Sequence, residues 1–490
     1  MKHILSKSTF LRGWQCPKSL YLHKFFPKLK GEISAQQQAI FNRGTTVGEL
    51  AQQLFPGGTD ASPATPFLYQ QSVEFTKKLI ESGTKVIYEA AFQYEGVLAA
   101  IDVLVNEKGK WKGFEVKSST EIKEVNILDA SLQYYVIKNS GLELKDISIV
   151  HINNQYIRTD KLDLKKFFIK ESIYEDVLNN QELIAEKIDE LKLLLKQKNV
   201  PEIDIGPHCT DPYPCDFMEH CWSHIPENSI FDIANLRTEK KFNFYSQGII
   251  RYDDIEQLDL LNEKQQQQVE LFIKKKDHID KKGIKEFLKT ISYPLFFLDF
   301  ETFNPAVPLY KNSKPYQQIP FQYSLHYLEN EKSKLKHFEF LAVPGNDPRI
   351  PFIEKLLRDT SAPGDIITYN QSFEKGRLQE LSDYFPEFSK ELQSRIVRIK
   401  DLMLPFRERI LYKHTMHGSY SIKEVLPALV PEFSYDDLLI NNGGDASIAF
   451  ERMVLEPEKD YTELRNQLLE YCGMDTLAMV KILEVLNRSI

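Results

Sequence analysis

The sequence predicts an α/β protein of two domains joined by a helical connector, on three observations. Its 490 residues exceed what one ordinary core accommodates. Strand-like and helix-like apolar patterns alternate around residues 85–118, and again from Leu295 to the end. Between them lies a highly polar stretch with Gln265, Gln266, Gln267 and Gln268 and a basic run from Lys274 to Lys285. The expected boundaries are 1–225, 226–290 and 291–490, the middle part being helical with little core of its own. Hydrophobic residues at 42% and charged residues at 27% exclude a largely disordered chain. No apolar run approaches the roughly 20 residues of a membrane span. The start, MKHILSKSTFLRGW, lacks an uninterrupted signal-peptide core, so a cytoplasmic protein without a membrane partner is expected.

A net charge of −8 gives no global attraction to nucleic acid, and any such binding must use local patches. One candidate is N-terminal. Lys2, Lys7, Arg12, Lys18, Lys24, Lys28 and Lys30 precede the first acidic residue, with Trp14, Tyr21, Phe25 and Phe26 interleaved. Cations follow phosphates while rings stack on bases, a combination that suits a single strand. The alternative is an amphipathic helix with a solvated basic face.

Residues 96–105, a turn around Glu107 to Lys110, and residues 111–118 form a predicted β-hairpin. Asn106 then faces Trp111, and counting outward puts Asp102 opposite Glu115. Like charges paired across strands destabilise each other. Lys117 shares the face of Glu115, so the group is either a salt-bridge network or a metal site with a nearby lysine. The order Asp102, then Glu115-x-Lys117, resembles the core of the PD-(D/E)XK nucleases, whose fold is restriction-endonuclease-like, and their RecB-like branch above all. The resemblance implies that both acids bind one or more Mg²⁺ or Mn²⁺ and that the lysine assists water activation. It also draws in Gln133 of the following helix and Glu49 of an upstream helix. Gly48 stands where that branch often carries a metal-binding histidine.

Cys16 sits in Trp-Gln-Cys-Pro, while Cys209, Cys215 and Cys221 recur at intervals of six. One cysteine before such a core and three after it resemble the iron-sulfur RecB-like nucleases, and the implied ligand set is four thiolates around a 4Fe-4S cluster. Zinc is the rival, but zinc sites usually come as close Cys pairs. Cys472, the fifth, is expected to be a packed residue.

In the last part, the strand Leu295 to Phe303 ends in charge. Side chains alternate along a strand, so Asp299 and Glu301 point the same way and Phe300 the other. Two carboxylates side by side at the end of an apolar strand call for a cation. A second strand, residues 365–370, leads into a helix with Phe373, Glu374 and Leu378. A final helix from about Leu468 carries Tyr471 and Asp475 four residues apart, on one face. Asp-x-Glu, Asn-x-x-Phe-Glu-x-x-x-Leu and Tyr-x-x-x-Asp, in that order, resemble the three motifs of the DnaQ-like, ribonuclease-H-like DEDD exonucleases in their tyrosine-bearing form.

That resemblance covers about the last 200 residues. It implies a mixed sheet flanked by helices and removal of nucleotides from 3′ ends with two divalent metals. Asp299, Glu301 and Asp475 would be ligands, Glu374 would take the second-motif position usually held by aspartate, and Tyr471 would orient the attacking water. His417, Tyr420 and Lys423 lie between the second and third motifs and are candidate contacts to the substrate strand; for His417 the alternative is a capping or packing role.

Together these features predict a metal-dependent nuclease acting on single-stranded or end DNA, with RNA open. In one version both domains cut, and in the other the N-terminal domain is a DNA-binding clamp. No Gly-x-x-x-x-Gly-Lys-Ser/Thr loop occurs, so no ATP use is expected.

Overall fold

The three-stranded meander at residues 86–117 forms because each of its two turns meets the demand for two left-handed residues. Glu95 and Gly96 (φ 43° and 78°) join the strands Val86–Tyr94 and Val97–Glu107, and Lys108 and Gly109 (φ 54° and 83°) join the latter to Lys110–Lys117. The computed structural model of the chain describes residues 4–65, 68–435 and 438–490. It is a mixed α/β structure that divides into two units. The first is Met1–His224 with Ala306–Tyr316, and the second is Ile225–Pro305 with Gln317–Ile490. Among the described residues no helix is long and apolar enough to cross a membrane.

In the first unit the elements run β1 (Leu5–Ser6), α1 (Lys7–Gln15), α2 (Pro17–Phe25), α3 (Ala35–Gln52), β2 (Thr59–Asp60), α4 (Tyr69–Glu81), β3 (Val86–Tyr94), β4 (Val97–Glu107), β5 (Lys110–Lys117), α5 (Glu124–Asn139), β6 (Leu144–Ile152) and β7 (Phe168–Ser172), with short helices between and after. The sheet order is β2-β3-β4-β5-β6-β7, with β1 laid parallel against β4. Strands β3, β4 and β5 pair antiparallel, whereas α5 crosses over to make β6 parallel to β5. One face of the sheet packs Ile101, Ile147 and Ile149 with Phe10 of α1, Leu132 of α5 and Ile188 and Leu191 of the helix Gln181–Leu194. The opposite face packs Val103, Phe114 and Val150 against Val47 and Ala51 of α3. Residues 306–316 join this unit through Arg158, whose backbone N–H donates to Ser313 and whose guanidinium donates to the Pro308 carbonyl at 2.6 Å.

In the second unit, β8 (His278–Ile279) precedes β9 (Leu295–Phe303), β10 (Ile319–Leu328), β11 (Lys336–Leu341), β12 (Asp365–Thr368), β13 (Ile399–Asp401) and β14 (Leu411–Tyr412). The main sheet has the order β11-β10-β9-β12-β13, with β9, β10 and β11 antiparallel and β12 and β13 parallel to β9. Phe296, Leu298 and Phe300 of β9 face a core completed by Tyr323, Phe352, Ile353 and Leu378. Its alternate residues face the helices Gly443–Leu455 and Thr462–Arg488; Phe450 stacks on Phe321 at 4.0 Å and sits 5.0 Å from Phe303. The last helix starts at Thr462, earlier than the sequence suggests, where Asp460 accepts the Thr462 N–H at 2.9 Å.

The segment expected to be a connector with little core is different. Ile230, Ile233, Leu236, Phe244, Tyr252, Ile255, Leu261 and Val269 make a core cluster there. The glutamine run belongs to that core. Gln268 is buried, its amide oxygen accepts from Ala234 N–H at 3.0 Å, and its nitrogen donates to the Asp232 carbonyl and the Tyr252 hydroxyl. These amides satisfy loop backbone that burial would otherwise leave unpaired.

Candidate functional site

The second unit brings four carboxylates together from three elements. Asp299 and Glu301 project from one face of β9, Glu374 stands in the first turn of the helix Ser372–Tyr384, and Asp475 sits in the helix Thr462–Arg488. Burial pushes all four above the ordinary carboxylate range, and neighbouring acids of the set raise Asp299 and Glu301 further, while the acid that adds to the rise of Glu374 is Asp401. Asp299 is held well above its usual value by burial, then by Asp475, Glu301 and Glu374. Glu301 is raised by burial and by Asp475, against the pull of Lys423. Glu374 reaches about 8 through burial, and its Oε2 has no hydrogen-bond partner among the described residues. Asp475 rises only to about 6, because hydrogen bonds from Tyr435 and Tyr471 and the charge of Lys423 oppose its burial.

Mutual repulsion, burial and an orphaned acceptor are what a carboxylate set built for hard cations shows without them. The donor chemistry therefore fits the implied Mg²⁺ or Mn²⁺.

Tyr471 is buried beside Asp475, as its i, i+4 spacing predicts. Tyr435, which the sequence did not single out, donates to Asp475 Oδ1 at 2.7 Å. Lys423 approaches both rings at 5.7 Å and adds positive charge to the site. Cys472 is packed, as expected, but close to the cluster: its Sγ lies 3.8 Å from Asp299 Oδ2, and Asp299, Glu301 and Cys472 offer ligand atoms within 4.8 Å of one another. A fifth buried acid, Asp401, is spent on structure, since its Oδ1 accepts from Asn370 and Met403 N–H groups, both at 3.0 Å. His417 is not brought to the carboxylates; its Nδ1 lies 2.6 Å from Asn228 Oδ1, and with Tyr369, Asn370 and Tyr420 it lines a cleft.

In the first unit, β4 and β5 pair with Asn106 opposite Trp111 and Val103 opposite Phe114. At the next step Asp102 Oδ2 takes the Val116 N–H at 2.6 Å. Glu115 is buried, and its Oε1 receives Lys117 at 2.7 Å and Lys7 at 2.8 Å while its Oε2 receives the Gln133 amide at 2.6 Å. Burial works against the charged form of Glu115, yet Lys117 and Lys7 hold its pKa well below the usual range. Asp102, buried and beside Glu115, is pushed well above it.

Sequence reasoning missed members of this cluster. Lys7, at the first turn of α1, and Asp129 of α5 complete a network in which Lys117 meets Asp129 Oδ2 at 2.5 Å. Glu49 is not brought here: α3 buries Val47 and Ala51 against the opposite face of the sheet and leaves Glu49 exposed. A Cβ at Gly48 would meet open space.

Cys16, Cys209, Cys215 and Cys221 line a single cavity in the first unit, with Ser19, Ile205, Phe217 and Met218. Among the described residues no three of these sulfurs lie within 4.8 Å of one another. A set of four thiolates around one cavity can hold either a single zinc ion or a 4Fe-4S cluster.

The N-terminal cations are divided between structure and surface. Arg12 and Lys30 meet Asp216 at 2.6 and 3.1 Å, and Lys18 donates to the Ile203 carbonyl at 3.0 Å. Tyr21 is buried and Trp14 packs against the core. Lys24 and Lys28 remain exposed beside exposed Phe25 and Phe26, and Lys2 lies outside the described residues.

Residues 296–421 match a family described as a domain of unknown function (DUF2779). The chain is similar to an uncharacterized protein, the MG366 homolog of Mycoplasma pneumoniae, 28% identical over 229 residues, which is 41% of this chain and 34% of that protein. It is also similar to the uncharacterized protein MG366 of Mycoplasma genitalium, 28% identical over 206 residues, 38% of this chain and 31% of that protein. The uncharacterized protein UU173 of Ureaplasma parvum is 27% identical over 219 residues, 40% of this chain and 31% of that protein. The chain thus spans about a third of the length of the curated relatives it matches.

Proposed function

We propose that the second unit is a metal-dependent nuclease of the DEDD type that removes nucleotides from the 3′ end of a nucleic acid strand, DNA in the first instance. The observation that carries this reading is the meeting of Asp299, Glu301, Glu374 and Asp475 from distant stretches in one buried, mutually repelling cluster. The mixed sheet with helices on its faces agrees with the fold that the motif resemblance implies.

Divalent metal, when bound, lowers the pKa of a water and stabilises the leaving oxygen of the phosphodiester. Asp299, Glu301 and Asp475 hold the cations, with Glu374 at the second-motif position. Tyr435 fixes the orientation of Asp475 through its 2.7 Å hydrogen bond. Tyr471 is placed to orient the attacking water. Lys423 supplies positive charge where negative charge grows on the phosphate.

The first unit joins this reading as a RecB-like nuclease domain braced by a cluster on Cys16, Cys209, Cys215 and Cys221. In one version of its role this domain cuts as well, and in the other it is a DNA-binding clamp in which Lys7, Lys117 and Gln133 keep Glu115 engaged.

The test is to incubate the full chain with end-labelled single- and double-stranded DNA and RNA, with Mg²⁺ or Mn²⁺. Shortening from the 3′ end that Asp299→Asn abolishes is expected; undiminished cleavage by that variant removes the proposal. Asp102→Ala and Lys117→Ala decide between a second cutting site and a clamp.

A further inference from the structure

The alternation of side chains along β3 and β4 slips at a single level of the first sheet. On β4, Val97, Ala99 and Ile101 face the core shared with α1 and α5, but Val103 and Val105, of the same parity, face the core shared with α3. On β3, Ile87 belongs to the first core, as do Ala90 and Phe92, of opposite parity. A regular strand keeps one parity on one face, so both strands change phase between these residues. The residues at the change are Asp102 and Glu89. They are level with each other, because Tyr88 pairs with Val103 and Ala90 with Ile101.

Glu89 makes its slip by adopting φ 51°, a left-handed conformation that a residue with a Cβ seldom takes inside a strand. A strained residue held inside a strand, at the level where both strands change phase, points to a side chain being aimed rather than to a sheet being optimised.

What Glu89 is aimed at follows from its electrostatic neighbours, which are Glu115, Lys7 and Asp60. Asp102 in turn feels Glu115 and Glu89. Glu89, Asp102, Glu115 and Asp129 bring four carboxylates against the two ammonium groups of Lys7 and Lys117, an excess of two negative charges. Independently, two buried oxygens at this cluster lack any hydrogen-bond partner among the described residues: Gln133 Oε1, on the amide whose nitrogen grips Glu115, and Asp129 Oδ1. Buried acceptors without donors call for a cation or a buried water, and in a carboxylate-rich cluster a cation serves several of them at once.

We infer that Glu89 is a third carboxylate ligand, with Asp102 and Glu115, for a hard divalent cation of the Mg²⁺ or Mn²⁺ class in the first unit. The inference rests on reading this cluster as a metal centre and adds a ligand that the motif does not contain.

The test uses the full chain carrying Asp299→Asn and Asp475→Asn to silence the second unit, chelator-treated and titrated with Mn²⁺ by calorimetry. Adding Glu89→Gln lowers the affinity about tenfold or more, the scale on which ligand charge sets cation binding. Adding Glu49→Gln, an exposed acid on α3, leaves it unchanged. Glu89→Gly removes the carboxylate and relieves the left-handed strain, so it loses the cation with an unchanged or raised melting temperature. Full-strength binding by both Glu89 variants, together with loss of binding in Asp102→Asn, overturns the assignment of Glu89 alone. Binding that also survives Asp102→Asn overturns the metal centre and the assignment with it.

Discussion

Replacing Glu374 by glutamine gives a prediction whose sign and size come from burial. Glu374 rises from an ordinary 4.5 to about 8, chiefly because burial penalises its charge. In the unfolded chain it titrates normally, so between these two values the folded protein holds a proton that the unfolded chain has released. Stability therefore falls as pH rises through this window. From 4.5 to about 8, at about 1.36 kcal/mol per pH unit, the loss from this one group amounts to about 5 kcal/mol by pH 8. Asp475 acts in the same direction but has finished by about pH 6.

Urea unfolding in excess chelator at pH 5, 6.5 and 8 reads the effect as the difference between wild type and Glu374→Gln. The variant gains on wild type as pH rises, and saturating Mn²⁺ cancels that gain by giving the wild-type carboxylate a partner. Parallel pH curves for the two proteins in chelator would refute the reasoning.

Four further predictions follow from single residues. Gly364→Ala should destabilise the second unit by about 3 kcal/mol in denaturant unfolding, since the residue has φ 124° and a Cβ there falls 2.0 Å from the Pro294 carbonyl oxygen, which cannot swing aside. Lys423→Met should lower the rate of cleavage while tightening Mn²⁺ binding severalfold, because it removes a positive charge that the cation must otherwise tolerate; weaker Mn²⁺ binding in calorimetry would contradict this. Protein purified without oxygen should absorb broadly in the visible and contain iron, and Cys209→Ser should bleach it and lower the melting temperature of the first unit. Colourless protein with stoichiometric zinc would reverse that assignment. Gln268→Ala should cost about 2 kcal/mol or more, because the Ala234 N–H and Asp232 carbonyl lose their partner within a buried core.

Parts of the site were legible in the chain because they obey simple periods. Asp299 and Glu301 alternate with Phe300 on a strand, and Tyr471 and Asp475 lie one turn apart on a helix, so each pair needs only local geometry to be placed. The Asn106 to Trp111 pairing likewise follows from counting outward across the turn at residues 107–110, whose outer two residues prove to be paired as well. What resisted the sequence depends on tertiary context. Glu89 looks like any strand residue until its left-handed backbone is seen, and nothing local announces that conformation. Tyr435 comes from a loop 40 residues before Asp475, and Lys7 from 108 residues before Glu115.

Glu49 enters through the resemblance, as an acid in an upstream helix, and chain order does not tell which side of the sheet that helix covers. By composition the glutamine run reads as part of a helical connector with little core. Its amides turn inward because the loop at residues 232–234 has backbone groups to satisfy, a demand written in the loop and not in the helix that meets it. Arg12, Lys18 and Lys30 counted towards a basic surface, yet partners some 180 to 200 residues away hold them.

The most direct measurement of the central claim is an anomalous difference map from crystals of the full chain soaked in Mn²⁺. Density in the second unit bounded by Asp299, Glu301 and Asp475, and missing in Asp299→Asn crystals treated the same way, is the expected result. A clean map at that position at saturating Mn²⁺, with the four acids hydrogen-bonded among themselves as neutral groups, would contradict it.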